Sequence, residues 1–202
     1  LEGVSGGPDD ELNGKHVVIS AGGTREPLDP VRYLGNRSSG KQGFALARAA
    51  AQRGASVTVV AGSTADPGDP AGVTIVRIST AEQLADEMTK RAADADVVIM
   101  AAAVADFRPV AVAESKIKKG DEGPAPIHLT TNPDILRGLV TARDEGRIPT
   151  ATVIVGFAAE TGDETGGVLD HGRAKLARKG CDLLVVNEVG VGVTFGQDAS
   201  TV

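Results

Sequence analysis

Six short, nearly unbroken runs of aliphatic residues set the strongest limit on what this chain can become: KHVVIS (15–20), SVTVVA (56–61), VTIVRI (73–78), DVVIMAAA (96–103), ATVIVG (151–156) and CDLLVVN (181–187). A strand with one wet face alternates polar and apolar residues, whereas these runs read as strands covered on both faces. Most of the intervals carry helices. Residues 39–54 place Phe44, Leu46, Ala47 and Ala50 at helical spacing, with Gly54 set to end the helix. Thr80, followed three residues later by Gln83, forms a capping box for a helix running to about residue 95. Residues 132–143 and 168–178 read as further helices, and only the Pro- and Gly-rich interval between the second and third strands lacks one. Strands alternating with helices require crossover connections and a mostly parallel sheet. The expected fold is therefore α/β: a doubly wound, mostly parallel sheet. With aromatic residues at only 2%, its core must be built from Ala, Val, Ile and Leu.

One segment breaks the rhythm. Residues 107–130 hold Lys116, Lys118 and Lys119 among Pro109, Gly120, Gly123, Pro124 and Pro126, with no helical period. They read as an inserted arm, a mobile flap. Residues 1–13 are acidic and Gly-rich and read as linker, leaving 14–202 as the folded domain. The closing Ser200, Thr201 and Val202 read as a strand just beginning, so the chain is expected to be part of something longer.

A net charge of −6 argues against broad attraction to nucleic acid or an anionic membrane, so any anion must be held locally. No apolar stretch reaches the ~18 residues of a membrane span, and the first residues do not resemble a signal peptide. Cys181, the single cysteine, sits in an apolar run and reads as a buried structural thiol. A cytoplasmic protein is expected.

Several features point to anion chemistry. GNRSSGK (35–41) has the spacing of a phosphate-binding P-loop, but Gln42 stands where the magnesium-binding Ser or Thr belongs, and about fifteen residues separate it from the preceding strand. Two readings stay open: backbone N–H groups of residues 38–41 cradling a phosphate, or a plain helix start capped by Ser38 or Ser39. Asp106 follows the carboxyl end of a strand, where open α/β sheets put ligand residues. It is either a magnesium or base partner or a turn residue. Lys175 and Lys179, four apart on a helix, bring their Cβ atoms to roughly 6 Å, a pair that grips one polyphosphate or is merely solvated. Lys116 and Lys118 would share one side of an extended flap. His16, His128 and His171 have no metal-ligand spacing, and no glycine elbow flanks a serine, so a zinc site or hydrolytic triad is poorly supported.

Taken as an ordered set, AGGTREPLDPVRYLGNRSSGKQG (21–43), AAAVADFRP (101–109), KIKK (116–119), NPDIL (132–136), VGFAAET (155–161) and AKLARKGCDLLVVNEV (174–189) resemble the phosphopantothenate–cysteine ligase domain of the bifunctional bacterial coenzyme A biosynthesis proteins. The resemblance implies a Rossmann-like fold and a homodimeric enzyme that joins 4′-phosphopantothenate to L-cysteine, using CTP with Mg²⁺ or Mn²⁺ and passing through an acyl-cytidylate. It also implies a flavin-dependent decarboxylase domain preceding this one, and no flavin here. By motif, Asn36 handles the acyl-cytidylate and Arg32 partners the pantothenate end. The CTP site takes in Met100, Ala101, Ala102, Asp106 (also the metal ligand), Lys116, Pro133, Asp134, Ile135, Leu136, Phe157, Lys175 and Lys179. Bacterial relatives favour CTP and eukaryotic ones can use ATP, a choice that backbone readout leaves unmarked in side chains. Two other classes compete: a nucleotide-binding regulatory module, and a nicotinamide-dependent oxidoreductase. The second is weakened because AGGTRE (21–26) lacks the dinucleotide-binding glycine spacing.

Overall fold

A computed structural model of the chain describes residues 11–65, 68, 70–118, 125–160 and 167–188. In chain order the elements are β1 (His16–Ala21), β2 (Arg25–Pro27), β3 (Tyr33–Gly35), α1 (Lys41–Gln52), β4 (Ser56–Ala61), β5 (Val73–Arg77), α2 (Ala81–Ala92), β6 (Val97–Met100), β7 (Phe107–Pro109), β8 (Leu129–Thr131), α3 (Ile135–Asp144), β9 (Val153–Glu160), α4 (Val168–Lys179) and β10 (Leu183–Glu188). Six strands form one sheet in the order β10-β9-β6-β1-β4-β5, and every pairing in it is parallel. The Rossmann-like α/β expectation holds.

Side-chain alternation sorts the core into two layers. Val17, Ile19, Ala21, Val57, Val59 and Ala61 point to one face, where Phe44, Ala47 and Ala50 of α1 bury against them. Val18, Val60, Val98, Met100 and Ile154 point to the other, which is covered by Leu84 and Met88 of α2 and by Ile135 and Leu139 of α3. The chain winds outward from β1 through α1 to β4 and β5, then crosses back by α2 to β6 on the other side of β1. Loops leaving β1 and β6 therefore part over opposite faces, and the sheet opens a crevice at their carboxyl ends.

Thr80 and Gln83 make the capping box at α2, and Gly54 ends the α1 region with φ 87°. Two elements escaped the sequence reading. The loop between β1 and α1 folds back as an antiparallel β2–β3 hairpin, tightened by Arg25 stacking 4.5 Å over the Tyr33 ring. The expected flap is ordered at its root, where β7 and β8 pair antiparallel from Phe107↔Thr131 to Pro109↔Leu129. Residues 119–124 lie outside the described residues, as do 1–10 of the expected linker and the segment around 200–202. Leu12, also assigned to the linker, docks on the α1 layer and donates its N–H to Arg53 O at 2.9 Å.

Gly43 lets α1 approach β1. A Cβ there would lie 2.6 Å from Ala21 Cβ and 3.0 Å from Ser20 O, neither of which can swing aside. Gly43→Ala is expected to destabilise, because overpacking costs about 1–3 kcal/mol and outweighs the roughly 1 kcal/mol of helix propensity gained. Gly138, inside α3, has nothing within 4 Å of a built Cβ. Gly138→Ala should therefore gain the propensity alone, and denaturant midpoints of the two variants should move in opposite directions.

Candidate functional site

The crevice is lined by loops held together through close backbone approach. Gly22 sits at φ 80°, and a Cβ on it would lie 2.5 Å from Ser63 O; one on Gly23 would lie 2.8 Å from Asn36 O. Only residues without side chains fit there. Gly23 exchanges hydrogen bonds with Ser63 at 2.9 and 2.8 Å, and Ala103 N–H donates to Gly22 O at 2.8 Å. Two buried hydroxyls then shape the segment after β6: Ser20 Oγ accepts from Ala102 N–H at 3.0 Å and Thr24 Oγ1 from Ala105 N–H at 2.9 Å. This explains why β6 stops at Met100, short of the expected 103. The backbone from 101 onward leaves the ladder to follow these hydroxyls.

Asn36 is exposed and donates Nδ2–H to Val104 O at 2.9 Å, a bond in which its Oδ1 takes no part. Asn132 docks the next turn on the same segment. Its Nδ2 donates to Ala105 O at 2.8 Å, its N–H to Asp106 O at 2.8 Å, and its Oδ1 accepts from Arg108 Nη1 at 3.1 Å. Asn36, residues 101–106 and residues 132–134 thus form one ledge, with the Asp106 residue exposed on it. Met100 and Ile135 bury their side chains in the core, so only their backbone can face a ligand, while Leu136 packs against the core and stays partly exposed.

Asp134 caps α3, accepting from Arg137 N–H at 3.2 Å, and forms an ion pair of 2.5 Å with Lys179. Burial pushes the Asp134 carboxyl up, but the Lys179 ammonium and the Arg137 N–H outweigh it and hold the carboxyl below its ordinary range. Lys175 lies one turn before Lys179 on α4 and is half-buried. A hollow of about 590 Å³ adjoins the ledge, lined by Glu82, Ala85, Asp86, Arg108, Thr131, Asn132 and Pro133. Only Pro133 among the expected nucleotide residues borders it, and its two carboxylates repel a triphosphate.

The start of α1 corrects one expectation. Neither serine caps the helix: Gly40 is the N-cap at φ 74°, without a side-chain cap bond. Ser38 Oγ accepts instead from Gly40 N–H at 3.3 Å and Ser39 Oγ from Lys41 N–H at 3.4 Å. Beside this first turn lies a residue the sequence reading did not select. Asn187, at the carboxyl end of β10 and 9% exposed, donates Nδ2–H to Gln42 Oε1 at 3.3 Å, while its Oδ1 is buried without a partner. An orphaned buried acceptor marks a ligand or water position. Its signal was present: a polar residue ending the apolar run CDLLVVN, at a strand's carboxyl end. Phe157 pairs with Val185 in the β9–β10 register, and by alternation it shares the α1 face with Asn187.

The expected residues therefore gather in three places along one edge. Asn36, Asp106 and residues 100–102 hold the centre, Phe157 the α1 side, and Asp134, Lys175 and Lys179 the α3–α4 side. Arg32 and Lys116 stand with each other instead. Arg32 pairs with Asp29 and donates to Ile117 O, the residue after the exposed Lys116. Among the described residues no three His, Cys, Asp or Glu side chains cluster to hold a metal. The ledge itself exposes one acidic residue, Asp106.

The family model for the DNA/pantothenate metabolism flavoprotein C-terminal domain matches residues 12–202. The chain belongs to this family. It is 62% identical over 190 residues to the coenzyme A biosynthesis bifunctional protein CoaBC of Mycobacterium tuberculosis (strain ATCC 25618 / H37Rv), covering 94% of this chain and 46% of that protein. It is 47% identical over 181 residues to the CoaBC protein of Vibrio cholerae serotype O1, covering 89% of this chain and 43% of that one. This member of the family thus spans about half the length of the curated relatives it matches. A crystal structure of the C-terminal domain of CoaBC superposes with a TM-score of 0.72 at 36% identity, covering 89% of this chain and 80% of that chain. A mutant of Cab2 in complex with phosphopantothenate-cysteine shares the fold, with a TM-score of 0.70 at 22% identity, covering 87% and 73%.

The Asp134–Lys179 pair has a pH signature. A carboxyl held below its unfolded value stabilises the fold above that value, about 3.9, and the contribution is lost as pH falls through the folded value. Asp134→Asn keeps a capping side chain. It should lower the unfolding free energy at pH 7 by about 0.5–1 kcal/mol, with the gap to wild type closing as urea melts are taken to pH 3.

Proposed function

We propose that this domain is a phosphopantothenate–cysteine ligase, which uses CTP to activate 4′-phosphopantothenate as an acyl-cytidylate and then joins it to L-cysteine. One observation carries the reading: hydrogen bonds tie Asn36, residues 101–106 and the Asn132 turn into one ledge at the topological switch point of the sheet. Membership of a family whose curated relatives are coenzyme A biosynthesis proteins supports it. So do the amides Asn36 and Asn132 and the cation Lys179 that an acidic chain keeps along this edge.

In the first step the 4′-phosphopantothenate carboxylate attacks the α-phosphorus of CTP, and the bond to the β-phosphate breaks to release pyrophosphate. Lys175, Lys179 and Lys116 neutralise the departing charge, work that preorganised cations do without reorganisation. The N–H groups opening α3 add donors for a phosphate. Mg²⁺, held on the triphosphate beside Asp106, would supply further charge neutralisation. In the second step the cysteine amine attacks the activated carbonyl, expels CMP and loses a proton. Asn36, which both donates and accepts without being a nucleophile, holds the acyl group in line. Phe157 gives the nucleotide an apolar wall, and the orphaned Asn187 Oδ1 offers an acceptor on the same side.

A second copy of the chain completes this reading. Val31, Tyr33, Phe107, Val110, Ile127 and Leu129 are large and exposed on the β2–β3 and β7–β8 hairpins and the flap. Exposed apolar side chains of this kind suit an interaction surface, and homodimerisation would bring the flap of one subunit to the nucleotide of the other. In the longer relatives' arrangement, a decarboxylase domain would precede this one.

Pyrophosphate release measured with CTP, ATP, GTP and UTP, with and without 4′-phosphopantothenate, tests the proposal. Release should require the acid and should be fastest with CTP. A regulatory module would release none. Lys116→Gln should slow release by about a hundredfold. Asn36→Asp should still release pyrophosphate but accumulate acyl-cytidylate, visible by mass spectrometry; loss of release without that intermediate would remove Asn36 from the second step.

A further inference from the structure

Asp29 has no exposed side-chain surface, lies on the turn between β2 and β3, and has no part in the chemistry described above. Its two oxygens divide their work. Oδ1 accepts from Val31 N–H at 2.8 Å and Arg32 N–H at 2.9 Å, closing a local Asx turn. Oδ2 accepts from Arg32 Nη2 at 2.6 Å and Nε at 3.1 Å, and from Ile117 N–H at 3.1 Å, 88 residues further along the chain. Arg32 Nη2 also donates to Ile117 O at 2.8 Å, so both backbone polar groups of Ile117 end on the Asp29–Arg32 pair. A neighbouring bond from Ala113 N–H to Leu28 O at 3.0 Å runs between the same two segments.

We propose that Asp29 is a positioning residue of the ligase site: a single buried carboxylate fixes the Arg32 guanidinium and, through the Ile117 peptide, the adjacent Lys116. The inference rests on the function proposed above, in which Arg32 meets the pantothenate end and Lys116 the triphosphate. Charge-assisted bonds of this kind are short and directional. Arg32 suits the task because the clamp uses Nε and Nη2 and does not involve Nη1. With 48% of its side chain exposed, one guanidinium can hold the flap root and still present donors to an anion. The Arg32 guanidinium, against the opposing effect of burial and helped by the Val31, Ile117 and Arg32 N–H groups, keeps the carboxyl well below the usual carboxylate range. The clamp is therefore charged at neutral pH. The acid-binding and phosphate-binding cations, 84 residues apart between Arg32 and Lys116, are set by one anion, which couples the placement of the two substrates.

Asp29→Asn separates the roles, because an amide can keep its oxygen on the Asx turn while replacing Oδ2 with a donor that Arg32 and Ile117 N–H reject. In the intact protein, pyrophosphate release at saturating substrates should fall about tenfold to a hundredfold, with KM for 4′-phosphopantothenate raised. In a Lys116→Gln background the same substitution should cost kcat little more, because both changes remove one contribution. Exchange of the Ile117 amide, followed by NMR, should be slow in wild type and fast in Asp29→Asn, with core amides unchanged. If Asp29→Asn matches wild type, or if its loss multiplies in full with that of Lys116→Gln, the positioning role is overturned. If wild type itself releases no pyrophosphate, the ligase reading fails instead, and Ile117 exchange still reports on the clamp. Should Asp29→Asn melt early, Ile117→Pro deletes the one N–H at an exposed position, and the same cycle decides.

Discussion

The parallel pairing of β1 between β4 and β6 is the constraint on which everything else in this molecule depends. Each β1 residue from His16 to Ala21 is in register with β4, and Val17 to Ser20 are also in register with β6. A strand buried on both sides and both faces cannot shift by one residue without turning Ile19 and Val18 into the wrong layers. That register fixes the height at which Ser20, Gly22, Gly23 and Thr24 leave the sheet. It thereby fixes where Ala102 and Ala105 find their acceptors and where the ledge can form.

From this strand the site grows by small polar bonds rather than by a deep cavity. Buried hydroxyls hold the backbone after β6, one asparagine docks the α3 turn, and another reaches in from the β3 side. Such groups are costly to bury unless paired, so each bond both satisfies its donor and aims a loop. The cations sit further out: Lys179 on α4, paired with Asp134, and Lys116 exposed at the flap. Loop orientation thus comes from short neutral groups, and the positive charge at this edge from long side chains.

Much of the fold was legible because its signals are local. The unbroken apolar runs became the six sheet strands, and the Thr80–Gln83 box and Gly54 marked helix boundaries where the structure has them. Legibility failed where the decisive partner was distant. Ser38 and Ser39 have the right residue type for caps, yet the approach of the β1 and β4 loops drew Gly40 into the left-handed cap position. The β2–β3 hairpin is hidden because three-residue strands carry no periodicity. Asp29 looks like an ordinary turn residue until Ile117 arrives from 88 positions away. Asn187 looks like the end of a strand until its oxygen is found buried and alone.

The sequence by itself determined the layer architecture, the parallel sheet and the residue types available to an anion site, because alternation, helical spacing and capping act over a few residues. It also carried the family's ordered motifs, which span most of the folded region. Only the tertiary structure decided which of those residues meet: Asn36 with Val104, Asn132 with Ala105, Asp134 with Lys179, and Asp29 with both Arg32 and Ile117. The reason is topological. Crossings of the chain bring segments 27 to 88 residues apart to one edge, and no local pattern encodes which side chains they will set face to face.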